Sequence, residues 1–119
     1  MDEKTTVAEL QAMIQEFCEE REWDRFHNCK DLAIGMVTES SELLEIFRFK
    51  NDDEIRELMS SPHREHVIEE LSDTLYFVLR FAQINGIDLS EGLKEKLAKN
   101  AEKYPVSMAK GCNLKYNEY

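Results

Sequence analysis

Glu39-Ser40-Ser41-Glu42 and Glu70-Leu71-Ser72-Asp73 are the two stretches whose reading decides the fold. Each spaces two carboxylates three residues apart, which on a helix brings their Cβ atoms to about 5–6 Å on one face. Their company is apolar at helical spacing: Met36, Leu43, Ile46 and Phe47 around the first pair, Val67, Leu71, Phe77 and Val78 around the second. Those neighbours predict that both acidic faces turn towards a core. Carboxylates beside a core are unfavourable unless a cation neutralises them. Two helices that bring Glu39, Glu42, Glu70 and Asp73 together therefore predict a divalent-metal site between them. Mg²⁺ suits such a site, with Mn²⁺ as a substitute, because it prefers octahedral oxygen ligands and is usually held by carboxylates and substrate phosphates.

At 119 residues the chain reads as one domain, 1–119, long enough to bury roughly two thirds of its unfolded surface in a single core. Two prolines and four glycines punctuate it, and both counts favour helices. A net charge of −10 argues against a nucleic-acid polymer or an anionic membrane as partner. No apolar run approaches the roughly 18 residues of a membrane span, and the polar start Met1-Asp2-Glu3-Lys4 does not read as a signal peptide, so a cytoplasmic protein is expected. Cys18, Cys29 and Cys112 are odd in number and lack Cys-x-x-Cys spacing, so they are read as reduced thiols.

Thr6-x-x-Glu9 predicts a capping box opening a first helix with Val7, Leu10, Ile14, Phe17 and Cys18. Trp23 to Asn28 mixes aromatics with turn formers and suits a loop. Asn28 with Asp31 predicts the cap of a second helix running to about Arg48. Residues 50–61 read as a polar connection with one or two helical turns at Glu54 to Met59. Ser61 as N-cap and Pro62 in the first turn predict the start of a third helix, the longest, which Asn85-Gly86 ends. His63 and His66 fall on the surface of its first turns. Asp88-x-x-Glu91 predicts a second capping box and a fourth helix that Pro105 stops, leaving an irregular tail over about 105–119. Nothing demands a strand.

The fourth helix and tail carry Lys94, Lys96, Lys99, Lys103, Lys110 and Lys115, the one basic region. Lysines bind phosphate as mobile point charges, so a triphosphate could bridge the metal and these lysines; a solvated face balancing an acidic body is the plainer alternative.

The pattern Glu-x-x-Glu, a gap, then Glu-x-x-Asp resembles the signature of the all-α nucleoside triphosphate pyrophosphohydrolases of the MazG-like superfamily. The flanking sequence is more specific: Arg21-Glu22-Trp23-Asp24-Arg25-Phe26-His27, Glu69-Glu70-Leu71-Ser72-Asp73, Asn100-Ala101-Glu102-Lys103-Tyr104-Pro105-Val106, Lys110-Gly111 and Lys115-Tyr116 are similar to the short dCTP pyrophosphatase branch. The resemblance covers nearly the whole chain. It implies metal ligands at Glu39, Glu42, Glu70 and Asp73, phosphate contacts at Asn100, Lys103 and Tyr104, and a base-pocket histidine at His27. Phe49 and Phe77 fall at positions implicated in holding the nucleotide, where that branch typically has tryptophan and tyrosine; the resemblance therefore carries over the metal chemistry but not base and sugar selectivity. By analogy, Glu39 both contacts metal and orients or deprotonates the attacking water. The resemblance further implies a dimer or a dimer of dimers, with pockets completed across subunits.

Without the resemblance, His27 would read as a loop histidine. Trp23 and Phe26 read either as an aromatic wall for a base or as a clamp holding the loop on the bundle. A di-iron carboxylate bundle is disfavoured because the chain has no Glu-x-x-His. A non-enzymatic helical nucleotide-binding or protein-interaction module is the rival class; it would need no core-facing carboxylates. The expectation is an all-α, four-helix-type bundle, oligomeric, that hydrolyses a deoxypyrimidine nucleoside triphosphate such as dCTP to monophosphate and pyrophosphate in nucleotide-pool cleansing or control.

Overall fold

Six α-helices and two 3₁₀ turns, with no strand, make up the computed structural model, which describes residues 1–119. In order, these are α1 (Val7–Glu20), a 3₁₀ turn (Asp24–Phe26), α2 (Cys29–Phe47), α3 (Asp52–Met59), α4 (Arg64–Ile84), α5 (Leu89–Lys103), α6 (Val106–Ala109) and a final 3₁₀ turn (Tyr116–Glu118). None of the helices is long and apolar enough to cross a membrane. Contacts group the chain into two compact units, Met1–Asn85 and Gly86–Tyr119.

The helix starts follow from side chains that satisfy otherwise unpaired N–H groups. Thr6 Oγ1 accepts from Glu9 N at 3.1 Å, Asn28 Oδ1 from Asp31 N at 2.8 Å and Asp88 Oδ1 from Glu91 N at 2.9 Å. At Thr6 and Asp88 only this half of the expected capping box forms; the Thr6 hydroxyl instead donates to the Glu9 carboxylate. A complete box stands at Asn51 and Glu54, which turns the expected polar connection into the full helix α3.

Two boundaries differ from expectation. Ser61 does not cap the long helix: its hydroxyl donates to Leu58 O at 2.7 Å, closing the end of α3, while turn bonds through Pro62 lead to a start at Arg64. The tail is not wholly irregular, since Pro105 is the N-cap of α6, one helical turn.

Within the first unit α2 and α4 form the principal pairing, with α1 laid more lightly on α4. The pair is antiparallel: Cys29 Sγ donates to Asn85 Oδ1 at one end, and Gly35 faces the Phe77 ring further along. Cys18, Leu32, Val67, Leu79 and Ala82 are buried, a thinner core than the length allowed for. Leu71, expected inward, is 56% exposed, and Ile68 beside it is 44% exposed.

α1 ends at a sharp corner. Glu22 takes a left-handed conformation (φ 54°), with Trp23 N donating to Cys18 O at 3.0 Å and Glu22 N to Glu19 O at 3.1 Å. This Schellman-type closure normally favours glycine, and it carries the chain round to place Trp23 against α1 and α4.

In the second unit α5 ends at Tyr104, whose ring meets Tyr116 and Tyr119 edge-on at 5.9 and 6.1 Å. Lys103 Nζ lies 5.0 Å from the Tyr116 ring centre. This aromatic cluster orders a tail that has almost no helix of its own.

Candidate active site

The antiparallel pairing of α2 and α4 sets their two acidic turns side by side. Glu39, Glu70 and Asp73 each offer a carboxylate oxygen within 4.8 Å of the others, close enough for one cation to touch all three. Glu39 Oε2 and Glu70 Oε2 are buried and have no hydrogen-bond partner, an arrangement that is unfavourable for acceptors unless something positive meets them. Glu70 keeps only 12% of its side chain exposed; its other oxygen lies 3.2 Å from His66 Nε2.

Glu39 shows the electrostatic consequence. Burial, then hydrogen bonding and charge from Glu42, then Glu70 and Asp73, push its pKa up to about 7. A divalent cation among these oxygens removes that penalty, and an all-oxygen donor set is the kind that hard cations select. The residues present thus fit a Mg²⁺-type ion.

A cavity of about 390 Å³ opens on Glu39 and Asp73. Its remaining walls are Phe17, Trp23, His27, Tyr76 and Phe77. The aromatics brace one another edge-on: Trp23 to Phe17 at 5.6 Å, Phe17 to Tyr76 at 6.4 Å, Tyr76 to Phe77 at 5.1 Å. Tyr76 Oη sits 3.1 Å from Cys18 Sγ, and burial followed by this contact raises the phenol's pKa, so it remains neutral. A second cavity, of about 640 Å³, opens on Glu42 and Glu70 and is bounded by α3 and the start of α4 through Leu58, His63 and His66. The acids therefore stand between two openings, one walled by aromatic rings and one by histidines, charged side chains and the aliphatic Ile46 and Leu58.

The description of the MazG-like family matches residues 34–119, which include both acidic turns. The chain belongs to the MazG-like family. It is 32% identical over 114 residues to dCTP pyrophosphatase 1 of Mus musculus, spanning 95% of this chain and 67% of that protein. The Homo sapiens dCTP pyrophosphatase 1 gives the same identity and the same coverage. Among solved structures, a pyrophosphatase from Archaeoglobus fulgidus DSM 4304 superposes with a TM-score of 0.78 at 35% identity, covering 82% of this chain and 91% of that one. This MazG-like chain is thereby a nucleotide pyrophosphohydrolase, and the non-enzymatic module is set aside.

Of the expected site residues, the structure brings together Glu39, Glu70 and Asp73, with Glu42 beside Glu39, and Trp23, His27 and Phe77 around the adjoining cavity. Trp23 is a wall of that cavity; Phe26 is not, lying 57% exposed beneath Arg25. Phe49 is not brought in either: it stands 84% exposed under Arg48, just past the end of α2. Lys96, Asn100 and Lys103 lie on α5, and Tyr104 is its C-cap, all in the second unit.

Sequence reasoning missed Tyr76 and Arg80, and read Phe17 only as a core position. The signal was available: Asp73, Tyr76, Phe77 and Arg80 follow an i, i+3, i+4, i+7 rhythm, which puts all four on one face of α4.

Proposed function

We propose that this chain is a Mg²⁺-dependent hydrolase of deoxypyrimidine nucleoside triphosphates, dCTP or a base-modified dCTP, yielding the monophosphate and pyrophosphate. The observation that supports it most is that one aromatic cavity and one carboxylate cluster share Glu39 and Asp73. A base lodged among Trp23, Tyr76 and Phe77 would have its phosphates directed at the acids. A bound divalent cation supplies neutralisation of phosphoryl charge and polarisation of the anhydride. Glu39, Glu70 and Asp73 would hold it, with Glu42 beside Glu39 completing the set. Glu39, besides touching the cation, would hold the attacking water in line and take its proton. The aromatic walls exclude bulk water from the base and hold the nucleotide. Phe77 offers no hydroxyl to the sugar, in keeping with selectivity set by shape and stacking.

Lys96, Asn100, Lys103 and Tyr104 supply the phosphate contacts in this proposal, on the strength of the family resemblance. Phe49, lying outside its own chain's cavity, would close the pocket of a second subunit in a dimer or tetramer.

The test is pyrophosphate release from a panel of canonical and modified dNTPs and NTPs, with Mg²⁺, Mn²⁺ or EDTA, beside Glu42→Gln/Asp73→Asn. Release that needs the cation, favours dCTP-like substrates and disappears in the double variant is expected. Release that is indifferent to EDTA or to the double variant would sink the metal assignment, and a preference for purines the base assignment.

A further inference from the structure

Arg80 is the one charged side chain in the buried core, 4% exposed. Each of its three nitrogens is engaged: Nη2 donates to Asp24 Oδ1, Nη1 to Gln83 Oε1 at 2.8 Å, and Nε to His27 Nδ1 at 3.0 Å. Asp24 lies in the 3₁₀ turn and His27 just after it, so one side chain from α4 fixes the loop that forms the cavity's edge.

The third bond has a chemical consequence. A guanidinium in a protein is always protonated and has no acceptor, so its Nε–H can only donate. His27 Nδ1 must therefore present a lone pair, and the neutral ring must carry its proton on Nε2. Nε2 has no hydrogen-bond partner in the chain, and the ring lines the aromatic cavity. We propose that Arg80 is a positioning residue that locks His27 in the Nε2–H form, so that the cavity meets its ligand with a fixed hydrogen-bond donor. The partner that this recognises is an acceptor on the base edge, a ring nitrogen lone pair or a carbonyl oxygen. A donor whose tautomer is locked discriminates against a base edge that presents N–H at that point, because two donors would face each other.

The surroundings agree. Burial and then the Arg80 charge lower the His27 pKa, only partly opposed by Asp24, so the ring stays neutral. Cys18, Asp24 and His27 are also close enough together to suggest a cation site. The guanidinium already provides the positive charge there, bridging Asp24 and His27, while Cys18 is engaged with Tyr76. The constellation is thus a hydrogen-bonded frame rather than a second metal centre.

The inference takes its ligand from the proposed nucleotide pocket, and the experiment separates the two. Long-range ¹H–¹⁵N NMR on ¹⁵N-histidine-labelled protein at pH 7, with His27→Gln to assign the resonances, reads the tautomer without any substrate. Wild-type His27 is expected neutral with its proton on Nε2; a proton on Nδ1, or on both nitrogens, overturns the proposal whatever the variants do. In Arg80→Met the lock is removed: a mixture of tautomers is expected, and KM for dCTP rises about tenfold while kcat stays within about twofold, the signature of lost binding rather than lost chemistry. Arg80→Lys, which keeps the charge but not the planar fork, should shift the tautomer in the same direction. An Arg80→Met protein that keeps pure Nε2–H and an unchanged KM overturns the proposal. If wild type hydrolyses no triphosphate, the pocket's assignment fails while the spectrum still decides the role of Arg80.

Discussion

Glu39 is where a single residue shows what the site demands. Its carboxyl is pushed from an ordinary 4.5 up to about 7, first by burial and then by Glu42, Glu70 and Asp73. A raised folded-state pKa means that folding favours the protonated form. The associated stability is full below the ordinary value, declines as pH climbs through the window between the two, and is gone once pH passes about 7. Glu39→Gln is neutral throughout and escapes this loss. In EDTA, its melting temperature relative to wild type should therefore climb between pH 5 and pH 8. Adding Mg²⁺ at pH 8 should raise the wild-type value and leave Glu39→Gln nearly unmoved, since ligand binding to the folded state stabilises by mass action. A difference that stays flat across this pH range would show that Glu39 is not strained by its neighbours. The trade is a familiar one for functional sites: stability is given up where charge must be concentrated.

At the scale of elements, the close contact of α2 with α4 depends on Gly35. A Cβ at that position would lie 2.6 Å from Cδ1 and Cζ of Phe77, well inside van der Waals contact. Glycine in a helix interior forfeits about 1 kcal/mol relative to alanine, yet overpacking a fitted interface costs about 1–3 kcal/mol. The second effect wins here, since the neighbour is an aromatic ring wedged between helices and braced by Tyr76. Gly35→Ala should be destabilised by about 1 kcal/mol and should raise KM, because the displaced ring is a wall of the aromatic cavity. Thermal melts and steady-state kinetics check both; a variant that is more stable than wild type with KM intact would show that the ring moves freely. Gly35 also marks the boundary of what the sequence disclosed. Caps such as Asn28 and Asp88 were legible because a short side chain acts on its own backbone, three residues away. The acidic pairs were legible because i, i+3 spacing survives any packing. The frame of Asp24, His27 and Arg80 spans more than fifty residues, and no local pattern announces which distant partner a buried arginine will find. Ser61 misled because its hydroxyl, donating to Leu58 O and accepting from His63 N, closes the turn between α3 and α4 rather than capping a helix that begins at once.

At the scale of the molecule, one chain leaves much apolar surface uncovered. On α2, Ile34, Val37 and Leu44 are 51%, 66% and 63% exposed, and on α4 Leu75 is 46% exposed. Ile34, Val37 and Leu44, with Ser41 between the last two, fall on one helix face at seam-like spacing, and such surface is expected to be covered by another copy of the chain, by symmetry the simplest partner. Light scattering should then give twice or four times the 14.0 kDa of one chain, falling towards a single chain in Val37→Lys/Leu44→Lys. The exposed Phe49 makes the stronger claim that the pocket is shared. If Phe49 acts on the partner subunit's site while Asp73 acts on its own, Phe49→Ala and Asp73→Asn homo-oligomers are each impaired at every site. Subunits exchanged between the two would form hybrids in which one site carries both defects and the other carries neither. For random dimers about a quarter of all sites would then be intact, and activity should reappear on mixing. Were Phe49 to act within its own chain, the same mixture would hold only singly defective sites and its activity would stay at the average of the two parents, which would rule out a shared pocket; a Phe49→Ala protein with undiminished activity would make Phe49 an ordinary surface residue.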